Sequence, residues 1–301
     1  MIPGKPSRTA WSAAMHRAAH QIVDRASVFD DPMAVPMTGW SRRRIEQDVA
    51  RHPERRGMRF FIASRHQFAR DVVRRAAERA GDPVQVVVLG AGLDTTAYRG
   101  GPESDDVVRV FEVDHPATGA WKREHLTREG IFPTLPVAYV GVDFETQSVH
   151  AALQSAGLDP ARPVVVVWLG VLVYLTRPAI EATVSELSGL ATAPVDLVFD
   201  YPEPTEDLSG RVAQVRAARA SRVAALGEPW LSSYTPEEMR CLLADRGFAA
   251  VEDLATADWI ERYFGVRRPA AGAGAHLLHA VTGAARRSGS GPGRRTRAGS
   301  N

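Results

Sequence analysis

The chain has 301 residues, 45% of them hydrophobic and 24% charged, enough to bury a full core without help from a disulfide, metal or partner. Its longest apolar run, Pro163 to Leu175, is 13 residues and falls well short of the roughly 20 that span a bilayer. The formal net charge of +2 conceals an acid-free tail, residues 282–301, with five arginines; the remaining body carries a net −3 and is not a nucleic-acid magnet.

Arg8, His16 and Arg17 interrupt any N-terminal apolar stretch, so no secretory signal is expected. The single Cys241 excludes an internal disulfide and a multi-cysteine metal site, and a reducing, cytoplasmic setting is expected. Residues 9–24 carry an Ala-rich helical pattern that ends at Phe29-Asp30-Asp31-Pro32. Two further helices follow. In the second, Met58, Phe61, Ile62, Phe68, Val72, Val73 and Ala76 recur at the spacing of a buried helix face, up to Gly81-Asp82-Pro83. Residues 1–82 therefore read as a helical cap.

From Val84 the period changes. Short β-branched runs at Val84–Leu89, Val107–Val113, Val137–Val140, Val164–Leu169 and Val195–Asp200 alternate with helical stretches near 116–129, 146–156 and 178–191. Apolar runs without alternation are strands buried on both faces, and their alternation with helices implies parallel βαβ units. Thr235-Pro236-Glu237-Glu238 opens a capped helix, and 249–254 and 276–281 are candidate closing strands. The expectation is a doubly wound, mostly parallel seven-stranded α/β sheet over residues 83–282, with a helical lid at about 201–235 and a disordered Arg-rich tail at 283–301.

Val86-Val87-Val88-Leu89-Gly90-Ala91-Gly92-Leu93-Asp94-Thr95 places a glycine-rich turn at the end of the first strand, where open α/β sheets bind ligands. A dinucleotide site would have G-x-G-x-x-G; here the last position is Thr95, and Asp94 would repel a pyrophosphate, which argues against NAD. The second strand ends Phe111-Glu112-Val113-Asp114, with Glu112 22 residues after Gly90, the spacing at which an acid reaches ribose hydroxyls. A cationic, phosphate-free nucleoside fits both features, and S-adenosylmethionine (SAM) is the candidate. Arg65 lies on the apolar stripe of its helix and must find an anion or snorkel out: a ligand carboxylate, a structural salt bridge and an exposed helix end are the readings.

Together, LGAGLDTTAYR, FEVDHPATGAWKRE, GVDFET and VWLGVLVYLT resemble the leucine carboxyl methyltransferase family, with closer similarity to its bacterial tetracenomycin-type polyketide O-methyltransferase branch, over roughly residues 8–281. The resemblance implies a class I SAM-dependent, Rossmann-like methyltransferase. It further implies that Arg65 pairs with the methionine carboxylate, that Gly90, Ala91 and Gly92 line methionine and ribose beside Asp94, and that Asp114 with Glu112 holds the ribose hydroxyls. Asp143 and the Phe144 backbone would meet adenine, and Arg17 would sit over cofactor or acceptor. Where the family usually has an acid before the fourth-strand glycine, this chain has Leu169. The arginine helix departs too, reading Arg65-His66-Gln67-Phe68-Ala69-Arg70-Asp71.

A carboxylate acceptor needs no general base, whereas a phenol does; candidate bases are His66, His115 and Tyr174. Tyr174 and Tyr201 follow the fourth and fifth strands and are candidates to line the acceptor pocket. The expected activity is O-methylation of a small-molecule carboxylate or hydroxyl, of the polyketide-like secondary metabolite kind. Methylation of a protein C-terminal carboxylate, a non-catalytic SAM- or nucleoside-binding role suggested by Leu169, and an NAD-linked oxidoreductase are the competing readings. No metal, membrane or nucleic-acid partner is expected.

Overall fold

The computed structural model describes residues 7–204, 229–267 and 274–282, with isolated positions 214, 220, 221 and 224 between the first two stretches. Most of the expected lid segment and all of the expected tail, 283–301, lie outside the described residues. Four helices come first: α1 (Arg8–Val23), α2 (Ala34–Thr38), α3 (Arg42–Arg51) and α4 (Arg56–Ala80). Helix α4 stops where Gly81 takes φ +67° and returns its N–H to the Ala77 carbonyl, a left-handed cap that a Cβ would strain.

The sheet holds β1 (Val84–Leu89), β2 (Val107–Asp114), β3 (Val137–Gly141), β4 (Val164–Trp168), β5 (Val195–Pro202), β6 (Phe248–Leu254) and β7 (Ala275–Thr282). Their order is β3-β2-β1-β4-β5-β7-β6, parallel except for β7, which runs antiparallel to both β5 and β6. The expected seven-stranded, mostly parallel sheet is present. Helices α5 (Pro116–Arg128), α6 (Val149–Ser155), α7 (Arg177–Ser188), α8 (Pro236–Ala244) and α9 (Thr256–Phe264) complete the described elements. No described helix is long and apolar enough to cross a membrane.

Side chains on a strand alternate between faces, and both faces here are covered. Val84, Val86 and Val88 pack with Phe61, Phe68 and Val72 of α4, while Val87 and Leu89 join Leu153 of α6 and Ile180 and Val184 of α7. Each such fully buried side chain contributes about 1.5–3 kcal/mol of transfer free energy. Two consequences position the site. Strand order reverses between β1 and β4, so a crevice opens at their C-terminal ends. The crossover from β1 to β2 contains no described α-helix, only a short 3-10 turn at Pro102–Asp106, so that stretch lays no long helix beside α4.

Candidate functional site

Gly90 and Gly92 follow β1 at φ +63° and +48°. A Cβ on Gly90 would lie 2.4 Å from Val171 Cγ2, across the crevice at the end of β4, and one on Gly92 would lie 2.8 Å from Ala10 Cβ of α1. Glycine is required here by both backbone angle and close approach. The Gly92 N–H donates to Asp114 Oδ2 at 2.5 Å, and the His115 N–H to Asp114 Oδ1 at 2.6 Å. Each carboxylate oxygen keeps a second lone pair, so this half-buried group can still accept from a diol. Burial raises its pKa, against the lowering effect of those two N–H donors.

Glu112 sits on the same face of the pleat, one step deeper. It is 4% exposed and pairs with Lys122 of α5 at 2.7 Å, while the same ammonium also donates to the Asp94 carbonyl. The expectation that Glu112 joins Asp114 at the ribose is therefore corrected: it is a buried ion-pair partner under the glycine turn.

Arg65 also has an internal partner. Its Nη1 donates to Asp200 Oδ2 at 3.3 Å, and Asp200 Oδ1 accepts the Gly170 N–H at 2.5 Å. The guanidinium lies against Gly170, where a Cβ would come within 2.6 Å of Nη1. Its buried Nε has no hydrogen-bond partner.

Arg17, 3% exposed, is a buried tie. Its Nε donates to Asp31 at 3.0 Å, its Nη2 to the Leu93 carbonyl at 2.5 Å, and its Nη1 lies 3.4 Å from His66 Nε2. Asp31 also accepts from Thr95 Oγ1. The His66 Nδ1 donates to the Ile62 carbonyl at 2.7 Å, which leaves Nε2 as the acceptor facing Arg17. Burial, then the charges of Arg17 and Arg65, hold this imidazole well below its ordinary pKa. Burial alone would raise Asp94, but Arg99, Lys122 and Arg17 outweigh it and lower its pKa to about 2.

A cavity of about 410 Å³ runs between α4 and the sheet on the side left open by the β1–β2 crossover. Val86, Val107, Val167 and Leu135 line its apolar part, and His66, Asp94, Arg70, Arg99 and Leu169 line its other side. Of the expected site residues, the cavity takes in Asp94 and Leu169, with the candidate base His66, and does not include Asp114, Asp143 or Phe144.

Asp143 closes a turn by accepting the Glu145 N–H, and the Phe144 ring packs 6.4 Å from Trp168. Ala91, 6% exposed, donates its N–H to the Val113 carbonyl. His115 caps α5 by accepting the Ala117 N–H, and Tyr174 is half-buried at the end of a short turn after β4. Tyr201 is a second correction. Its side chain is fully buried, stacks on His276 at 4.8 Å and donates to Asp253 at 2.7 Å, so it does not line the cavity. Among the described residues no His, Cys, Asp or Glu cluster could hold a metal ion.

A doubly wound sheet with a glycine turn and an acid at the β1–β2 edge of its switch point defines a nucleotide- or nucleoside-binding class of α/β protein. The family model for leucine carboxyl methyltransferases matches residues 10–188, and the chain belongs to that family. It is 33% identical over 205 residues, 65% of each chain, to Bacillus subtilis YktD, which is provisionally named a SAM-dependent methyltransferase. A Mycolicibacterium paratuberculosis relative with the same provisional description is 36% identical over 138 residues, 45% of each chain. The chain thus spans less than two thirds of the length of these curated relatives. A crystallised Streptomyces avermitilis DUF574-family protein shares the fold with TM-score 0.53 at 16% identity, covering 92% of this chain and 98% of that one. A Thermobifida fusca protein, provisionally a methyltransferase, gives TM-score 0.52 at 21% identity over 93% and 96%.

Proposed function

We propose that the protein is a SAM-dependent O-methyltransferase acting on a small-molecule carboxylate. The residues at the switch point suit the cofactor: two glycines at positive φ make a tight turn after β1, and Asp114, which ties that turn to β2, offers spare lone pairs to ribose hydroxyls. Asp143 and Phe144, in the turn that follows β3, would meet the adenine. When bound, SAM would supply a sulfonium methyl, to which an acceptor oxygen would bond in line as the carbon–sulfur bond breaks and the sulfur leaves as a neutral thioether.

The observation that carries the acceptor class is the cavity and its polar wall. A volume of about 410 Å³ suits a small molecule rather than a folded partner's chain end. Four groups that could serve as bases line it, His66, Asp71, Asp94 and Asp106; Asp71 is engaged by Gln67 and Tyr263, and His66 and Asp94 are unsuited to the task. His66 presents Nε2 to a guanidinium, and Asp94 is already stabilised as an anion by three cations. Neither can take a proton from a phenol whose pKa is near 10, whereas a carboxylate arrives ionised. The apolar valines opposite favour an acid with a hydrophobic body, of the kind polyketide-type acids supply.

Calorimetry with SAM, S-adenosylhomocysteine and NAD is the first test, with binding of the two sulfur ligands and not NAD expected. Incubation with labelled SAM and paired acids and phenols of matched shape then reads the acceptor. Base-labile methyl esters from the acids are expected. Transfer to phenols alone would overturn the carboxylate assignment, and cofactor binding without transfer to any acceptor would favour a binding protein.

A further inference from the structure

In the cavity wall, two guanidiniums flank one ring. Arg70 of α4 places its Cζ 4.4 Å from the centroid of Phe29, and Arg99 of the β1–β2 crossover places its own 5.0 Å away. Phe29 is 1% exposed, so both arginines are held by a buried hydrophobic anchor rather than left to wander in solvent. Arg70 is further fixed by donating to the Asp30 carbonyl at 2.6 Å and to Gln67 at 3.4 Å. Arg99 makes one long bond, 3.4 Å to Thr95 Oγ1, and its buried Nε–H has no acceptor.

A buried donor left without a partner costs about 1–3 kcal/mol, so the internal contacts do not satisfy this guanidinium. Arg99 and Arg70 line the cavity together with His66, Asp94, Asp71, Asp106 and Arg74, while Val86, Val107, Val167 and Leu135 supply its apolar part. We infer that Arg99, steadied on Phe29 and seconded by Arg70, is the residue that recognises the acceptor's carboxylate, with the acceptor's apolar body lying along the valines between α4 and the sheet. Arg99 is then the specificity determinant for acids over neutral analogues. This inference deepens the carboxylate reading above and rests on it, but it does not need the cofactor to be tested.

The test is binding without cofactor. A graded set of aryl and straight-chain alkanoates, with 4-phenylbutyrate and 4-phenylbutanamide as the matched pair, is titrated calorimetrically into the wild-type chain, Arg99→Gln and Arg99→Lys. At least one acid is expected to bind at least tenfold more tightly than its amide, about 1.4 kcal/mol. Arg99→Gln is expected to erase that preference while leaving amide affinity unchanged, and Arg99→Lys, which keeps charge but lacks the guanidinium fork, to restore part of it. Equal affinity for acid and amide, no binding of any alkanoate at millimolar concentration, or a preference untouched in Arg99→Gln would each overturn the inference. So would an Arg99→Gln chain that melts much earlier and loses acid and amide alike, since that is the signature of a brace between two loops; if it does not fold, Arg99→Lys decides. Binding of S-adenosylhomocysteine, measured on the same samples, reports separately on the cofactor reading.

Discussion

The carboxylate of Asp114 accepts the amide N–H of Gly92 at 2.5 Å, tying the last residue of β2 to the turn that follows β1. One side chain thus both shapes the glycine turn and supplies the acceptor proposed for ribose. The two roles separate by substitution. Asp114→Asn keeps one carbonyl oxygen for the Gly92 N–H but places an amide donor where the diol must donate. It orphans the His115 N–H, which should cost about 1 kcal/mol of stability, and it should bind S-adenosylhomocysteine at least tenfold more weakly, about 1.4 kcal/mol. Asp114→Ala should in addition lose roughly 1.5–3 kcal/mol of stability, because both backbone donors lose a charged acceptor. Calorimetry showing wild-type affinity in Asp114→Asn would remove Asp114 from the cofactor site.

Gly90 offers a test of the crevice itself. At φ +63°, with Val171 Cγ2 only 2.4 Å from where a Cβ would stand, Gly90→Ala combines backbone strain with overpacking across the β1–β4 switch. The expected cost is about 2–4 kcal/mol by chemical denaturation. Adding Val171→Ala should recover the steric part and leave the roughly 1 kcal/mol due to φ. A single Gly90→Ala chain as stable as wild type would mean that Val171 moves freely and that the crevice is wider than its backbone indicates.

The sheet was legible because its strands are apolar on both faces, a pattern that short buried strands between helices produce. Gly90 and Gly92 were legible as a tight turn because they follow an apolar strand directly, whereas spacing pointed to Glu112 and only the resemblance to Asp114, the acid that in fact meets the turn. Lys122, Asp31 and Asp200 were not legible, since each finds its partner through tertiary packing: Asp200 meets Arg65 across 135 positions and Asp31 meets Thr95 across 64. Tyr201 was misplaced although the signal existed. Alternation along β5 puts it on the face of Val195, Leu197 and Phe199, against α8, and turns Asp200 toward Arg65 on the other. Leu169 lines the cavity and packs against the α4 face of the core, so the residue that breaks the family's acidic pattern widens the apolar wall.

The Lys122–Glu112 pair is a deeply buried ion pair beneath the turn, with side chains 1% and 3% exposed. Removing one partner leaves a charge without compensation, which costs about 3–5 kcal/mol. Lys122→Met should therefore destabilise strongly near neutral pH. Burial already raises the Glu112 pKa, against the lowering effect of Lys122, and losing the ammonium raises it further. A carboxyl whose folded pKa exceeds its unfolded one binds its proton more tightly when folded, so stability is regained as pH falls through the folded value. Denaturation of Lys122→Met should show its deficit narrowing between neutral and mildly acidic pH. A deficit independent of pH would place the loss in packing of the lysine stem instead.

His276 sets the opposite slope. Its Nδ1 lies 2.7 Å from Asp253 Oδ1 and its Nε2 3.2 Å from Glu203, with the Tyr201 ring stacked on it. Burial would lower its pKa, but the hydrogen bond and charge of Asp253, with those of Glu203, outweigh it and raise the value. A histidine whose folded pKa lies above its unfolded value of about 6.5 contributes stability that is complete below that value and is lost as pH rises through the folded one. The wild-type melting temperature should therefore fall on going from mildly acid to mildly alkaline conditions by more than that of His276→Gln, which keeps a donor to Asp253 but cannot titrate. The other ionisable groups in contact with it are those two carboxylates and Tyr201, whose pKa burial and Asp253 push up. Parallel pH profiles for the two chains would show that the imidazole is neutral throughout and that the β5–β7–β6 edge is held by packing alone.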